Sequence, residues 1–247
     1  MKMFAGANQL KAGVILSYIT MAANYVIGIV YTPIMLRLLG QSEYGLYNLV
    51  SSVVSYLGLL SFGFGSAYVR FYSRYRVEDR EHDIAKLNGM FLIVFSVLGM
   101  IAVVTGMLLV ANTSTIFGEK LTPLEQHTAK ALMAIMVVNM AISFPASVFS
   151  SYITANEQYV FQKLMQLVKS LTSPFVTLPV LLMGYGSVGM VVATTLLNIA
   201  VEVSHACYCL GWLNMRFSFG NFDLALMKDM TVFSSYLFMN MIIDQVN

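Results

Sequence analysis

Charge is scarce in this sequence. Asp, Glu, Lys and Arg make up 11% of its 247 residues, against roughly 25% in an ordinary soluble domain. A solvated globular surface over most of the chain is thereby excluded. Cysteine is almost missing too: Cys207 and Cys209 lie close together in an apolar segment with no His or Cys cluster beside them. That pattern suits neither a disulfide nor a structural metal site, and it leaves the pair as small packing hydrophobes. No loop is long enough to fold into a nucleotide-binding domain, and no Walker sequence occurs. ATP hydrolysis by this chain is not expected, nor are a cofactor, a metal, an enzymatic activity or a nucleic-acid partner. The first apolar run is too long to be a removed signal peptide, and it lacks a small-residue cleavage site.

What fills the chain instead is apolar sequence, 58% of it, with its charges squeezed into short gaps. Residues 12–36, 45–69, 87–118, 131–156 and 170–201 contain no Asp, Glu, Lys or Arg. About 20 apolar residues carry a helix across the hydrocarbon core, and the last run is long enough to begin two crossings. In lipid only a helix bonds every backbone group within its own segment. The pattern predicts an all-α integral membrane protein, a six-helix transmembrane bundle with spans at 14–36, 46–69, 88–110, 131–152, 164–183 and 188–210. The fifth and sixth spans are joined by Gly184-Tyr-Gly-Ser-Val-Gly189. It reads as GxGxxG, but a dinucleotide site needs a strand before it, so a tight interhelical turn is expected.

Basic residues set an orientation. Numbering the gaps alternately gives one side Lys2, Lys11, Arg70, Arg74, Arg76, Arg80, Lys86, Lys163, Lys169, Arg216 and Lys228. The other side receives Arg37, Lys120 and Lys130. Eleven against three predicts a cytoplasmic N-terminus in a multi-pass membrane protein. The stretch 71–86, with interleaved charges, is expected to form a short solvated helix against anionic headgroups.

Inside the spans, polar residues recur every three or four positions and so share faces. The first span carries Ser17, Thr20, Asn24, Gly28 and Tyr31. The fourth carries Asn139, Ser143, Ser147 and Ser150, and the sixth Thr195, Asn198, Glu202 and His205. Small polar residues serve helix packing, but Asn24, Asn139, Asn198 and Glu202 at depth suit a water-filled cavity, with the apolar third helix on the periphery. Ionisable groups in a membrane are costly and point to function. Lys169 and Glu202 stand equally far from the Gly184 turn, so an ion pair between them is expected, with His205 within reach of Glu202. Pro33, Pro145, Pro174 and Pro179 fall within spans, where each removes a backbone hydrogen bond.

Arg37-Leu-Leu-Gly-Gln-Ser-Glu-Tyr-Gly45 resembles the turn after the first helix of polysaccharide-biosynthesis membrane proteins. These are the O-antigen and lipid-linked oligosaccharide flippases of the multidrug/oligosaccharidyl-lipid/polysaccharide exporter superfamily. Gly63-Phe-Gly-Ser-Ala-Tyr-Val-Arg70 resembles that family's close of helix two, and 154–163 its loop after helix four. The resemblance implies one half of a two-bundle, V-shaped transporter and a substrate of undecaprenyl-pyrophosphate-linked sugar. It implies membrane lipid and a C-terminal bundle as further partners. Arg37 and Arg70 close opposite ends of helices, so if both bind pyrophosphate they do so in turn, Arg70 at loading and Arg37 at release. The substrate-binding candidates are Asn24, Tyr31, Arg37, Arg70, Asn139, Ser143, Asn198, Glu202 and His205. A cation-coupled drug or small-molecule antiporter of the same superfamily is the alternative, with buried Glu202 as its coupling carboxylate. A sugar transferase is disfavoured, since the outside loops offer few carboxylates. The division expected is 1–215 for the bundle, 216–231 for a cytoplasmic linker and 232–247 for the start of a truncated seventh helix. The chain is then the N-terminal part of a longer transporter.

Overall fold

The computed structural model describes residues 2–61, 63–117, 121–220 and 224–246. They are helical almost throughout and contain no strand among the described residues. Five helices are long and apolar enough to cross a membrane. The first of them, α1 (Lys2–Ser55), is two helices in one: Gly40 at φ 76, ψ 168 breaks it into a limb before the corner and a limb after it. Only glycine adopts that conformation readily. The expected loop between the first two spans is therefore a single-residue corner.

The second pass departs from the single helix expected over 46–69. It runs through the latter limb of α1, a 3-10 turn over Tyr56–Ser61 and then α2 (Phe64–Val77), entered through Gly63 at φ 69. Glycines at 58, 63 and 65 lie in this stretch, where the chain loses regular helical bonding. The charged stretch 71–86 is not an independent helix either. Its residues belong to the end of α2, a turn at 78–80 and the start of α3 (Glu81–Ala111). Arg74 bonds Glu78 at 3.1 Å, and Arg80 bridges Glu78 at 3.1 Å and Asp83 at 2.6 Å.

The remaining passes follow in order. A short helix α4 (Thr113–Phe117) precedes α5 (Pro123–Ala155), which Thr122 and Glu125 start with a reciprocal capping box and Pro123 at the first turn. Then come α6 (Tyr159–Leu182) and α7 (Gly186–Cys207), the latter prolonged by a π turn over Tyr208–Trp212. The GxGxxG stretch is the tight turn expected, with Gly184 at φ 81 and Gly186 at φ 60. The helix α8 (Leu224–Val246) begins inside the stretch expected as linker, eight residues before Val232. Lys120 and Gly118 lie outside the described residues.

Contacts fix the two ends of the bundle. At the corner end, Ser42 bonds Glu125 at the start of α5, and Glu43 bonds Ser187 at the start of α7. At the opposite end, Val160 at the start of α6 donates to Gln9, and Tyr72 of α2 donates to Asn156 beyond α5. The passes from α1 to α7 thus alternate in direction, and the chain is a multi-pass membrane protein. Two apolar cores lie along this axis. One gathers Phe64, Tyr68, Phe91, Phe95 and Tyr152 towards the second end, and the other Leu46, Val50, Leu132, Met133 and Val191 towards the corner. Glycines let α3 and α5 approach closely, for a Cβ at Gly99 would stand 2.9 Å from the Ala141 carbonyl oxygen. The outer face of α3 exposes Val97, Met100, Val104 and Met107, as a peripheral helix would.

Candidate functional site

The inner face of α7 is the most unusual surface in the bundle. Its outward residues Val192, Leu196 and Val203 are exposed and apolar, fit for lipid. Three and four residues apart on the other side stand Thr195, Asn198, Glu202 and His205. The Thr195 hydroxyl, the Asn198 carbonyl oxygen, Glu202 Oε2 and both ring nitrogens of His205 are buried and have no hydrogen-bond partner among the described residues. Native interiors leave few polar atoms in that state, and each costs about 1–3 kcal/mol. Five on one helix face, two of them the Glu202 and His205 atoms that approach each other, set this face apart as a concentration of buried polar groups. Glu202 and His205 face each other at 3.5 Å without hydrogen-bond geometry, and the Phe161 ring of α6 sits edge-on to the imidazole, 6.0 Å between centroids.

The ion pair expected between Lys169 and Glu202 does not form. Lys169 is exposed on α6, and the neighbour of the Glu202 carboxylate is the His205 imidazole at 3.5 Å. Equal depth sets only the position along each helix, whereas rotation about the axis turns Lys169 outward.

The other candidates separate into groups. Tyr31 is tied down: its hydroxyl donates to Thr177 of α6 at 2.7 Å and lies 3.7 Å from the Met190 sulfur of α7. Asn139 and Ser143 are half-buried on α5 with free side-chain polar groups among the described residues. Arg37 is exposed, three residues before the Gly40 corner. Arg70 is exposed near the opposite end, its guanidinium 4.4 Å above the Phe233 ring of α8. The two arginines are separated by the length of the bundle and cannot hold one group together. Asn24 lines a cavity of about 360 Å³ between α1 and α6, with Ser17, Thr20, Tyr25, Lys163 and Gln166.

Sequence reasoning missed a second polar network at the end opposite the corner. The Tyr68 hydroxyl donates to Asn88 at 2.5 Å, and the Asn88 amide donates to the Arg216 carbonyl at 2.8 Å. Both side chains are fully buried. Ser218 N–H donates to the Ala85 carbonyl at 2.9 Å, and a Cβ at Gly89 would collide with the Ser218 carbonyl oxygen. The extended segment after α7 is thus strapped across the start of α3. Asn88 is the first residue of the span expected at 88–110, and nothing in its spacing shows a partner 128 residues away. Glu43 was also missed as a cap. Its carboxylate accepts from Ser187 N at 2.6 Å and Ser187 Oγ at 2.7 Å, at the positive end of α7.

Comparison with known proteins supplies the wider frame. The profile of a family described as "Polysaccharide biosynthesis protein" matches residues 10–247. Among solved structures, the fold is similar to an outward-facing multidrug resistance MATE family transporter of the MOP superfamily, at 17% identity and a TM-score of 0.73, covering 96% of this chain and 55% of that one. It is similar to a MATE in the bent conformation, at 17% identity and a TM-score of 0.70, covering 92% and 52%. A MOP superfamily transporter from Pyrococcus furiosus, described as having a binding pocket of reverse polarity that suggests a different function, matches at 16% identity and a TM-score of 0.74, covering 96% and 54%. At such identities the likeness is one of fold. The chain spans about half the length of these structures. No curated protein matches it.

Proposed function

We propose, from the premise that this chain belongs to the polysaccharide biosynthesis protein family, that it forms one bundle of an exporter that flips a lipid-linked oligosaccharide across the plasma membrane for cell-surface polysaccharide synthesis. The observation that carries the reading is the partnerless polar face of α7. A hydroxyl, an amide, a carboxylate and an imidazole supply the donors and acceptors that sugar hydroxyls require, and an inward polar face within a bundle suits a wet pathway. Asn24, Asn139 and Ser143 would extend that wall, and Arg70 and Arg37 would meet the pyrophosphate at loading and release. The partner is a second bundle completing the cavity. The N-terminus faces the cytoplasm of the inner membrane, as the basic asymmetry directs.

The test is lipid-linked oligosaccharide movement in vesicles holding the full-length protein. Transfer well above that of protein-free vesicles is expected, with a loss of about tenfold in Asn198→Leu, the effect of about one hydrogen bond. No transfer above background would sink the reading. One observation favours the antiporter alternative: Glu202 Oε2 is buried without a hydrogen-bond partner, as a cation-binding carboxylate would be. Export of a cationic dye abolished in Glu202→Gln, with no oligosaccharide movement, would select it.

A further inference from the structure

We propose that the groove between α1 and α6 is a headgroup site for a phosphate that carries a hydroxylated group, a phosphosugar on a lipid. The inference deepens the flippase reading and rests on it. Lys163 is the observation that begins the argument. It is half-buried against the groove, and no carboxylate lies within 4.0 Å of it among the described residues. Lys86, the other half-buried lysine among the described residues, has Asp83 at 3.7 Å. The Lys163 ammonium reaches only a neutral acceptor, Gln166 Oε1, at a long 3.4 Å. An ammonium at a polar groove of a membrane protein, with no anionic side chain beside it among the described residues, is open to an anionic ligand.

The groove is polarised to match such a ligand. At Lys163 there are donors: the ammonium itself and the Gln166 amide, whose oxygen is already engaged. Across it on α1, Ser17 and Thr20 spend their hydroxyl protons on the Gly13 and Leu16 carbonyls at 2.8 Å each, so their oxygens are left as acceptors. Asn24, one turn further, offers both. A phosphate seated at Lys163 would then present its attached hydroxyls to Ser17 and Thr20. Met21 and Tyr25 form an exposed apolar flank, 51% and 63% accessible, where an acyl or prenyl tail could leave. The helices are held in place below the groove, because Gly13 packs directly on Tyr159 and Gln9 accepts from Val160 N at 3.4 Å. At about 360 Å³ the space holds one headgroup unit.

Native mass spectrometry of the full-length protein tests this with three probes: glucose linked to farnesyl diphosphate, glucose 1-phosphate and phosphatidylglycerol. The prenyl-linked sugar should be retained, and Lys163→Gln and Asn24→Leu should each weaken it at least about tenfold, the effect of losing one strong hydrogen bond. Lys169→Gln, on the same helix but exposed, should change nothing. Equal weakening by Lys169→Gln would mean general charge attraction and would overturn the site. Lys163-dependent retention of phosphatidylglycerol above the prenyl-linked sugar would assign the groove to bilayer lipid and overturn the substrate. Retention of glucose 1-phosphate alone, lost in Lys163→Gln, would support headgroup recognition without the tail. If Lys163→Gln does not fold, Lys163→Arg must keep binding and Gln166→Leu must weaken it, or the proposal fails. Should vesicles show flipping while Lys163→Gln leaves retention intact, the groove falls alone. Retention without flipping would remove the flippase reading and leave the groove.

Discussion

Glu202 is where the energetics of single residues are most exposed to test. Its contact with His205 at 3.5 Å makes those two side chains, and not Lys169, the coupled pair. A double-mutant cycle of Glu202→Gln with His205→Gln, read by thermal unfolding of the purified protein, should show a coupling of about 0.5 kcal/mol or more. The cycle of Glu202→Gln with Lys169→Met should be additive within about 0.5 kcal/mol. Outside the membrane, Glu78 offers a pH readout. Hydrogen bonds from Arg74 and then Arg80 hold its carboxyl below the ordinary carboxylate value. A lowered folded-state value means the stabilisation is present above the unfolded value and is lost as pH falls through the folded one. The melting temperature of Glu78→Gln should therefore fall below wild type at neutral pH, and the gap should close in acid. A gap that persists or widens in acid would rule out the charge-based account.

At the scale of elements, single glycines decide how helices join. Gly40 turns α1 from one pass into the next at φ 76, ψ 168, a conformation open essentially to glycine alone. Gly40→Ala should cost about 1–3 kcal/mol in unfolding free energy, whereas Gly28→Ala, with open space around it and helical backbone, should be neutral or slightly stabilising. Equal melting temperatures for the two variants would show that the corner is not strained by a side chain. The strap after α7 depends on the buried pair of Tyr68 and Asn88. Tyr68→Phe leaves the Asn88 oxygen without its donor and should cost about 1–3 kcal/mol. Proteolysis within 213–219 should accelerate in that variant if the strap loosens.

For the whole molecule, orientation is the first question, because it decides which mouth loads and which releases. The corner end carries Arg37 and Lys130, and the opposite end most of the basic residues. In a background without Cys207 and Cys209, a cysteine at Leu124 should react with an impermeant thiol reagent from outside, and one at Asp79 should not. Leu124 is 77% exposed, so access does not limit the result. Reversed labelling would invert the proposed roles of Arg70 and Arg37.

The all-helical, multi-pass character of the chain was legible in the sequence. Uncharged runs of that length have one stable form in lipid, and the spacing of three and four residues already drew the inner face of α7. The sequence did not reveal how each helix is rotated about its own axis. Depth along a helix follows from counting residues, but a partner depends on the angle at which two helices meet, which is set by packing over the whole bundle. So Lys169 and Glu202 share a depth without meeting, while Tyr31 finds Thr177 across 146 residues. The same packing puts Lys163 and Asn24 on the walls of one groove and Asn88 against a carbonyl in the strap. Local breaks also escaped the pattern. Gly40 and Gly63 lie within or beside apolar runs whose hydropathy hardly registers them, yet their positive φ angles decide where a helix stops.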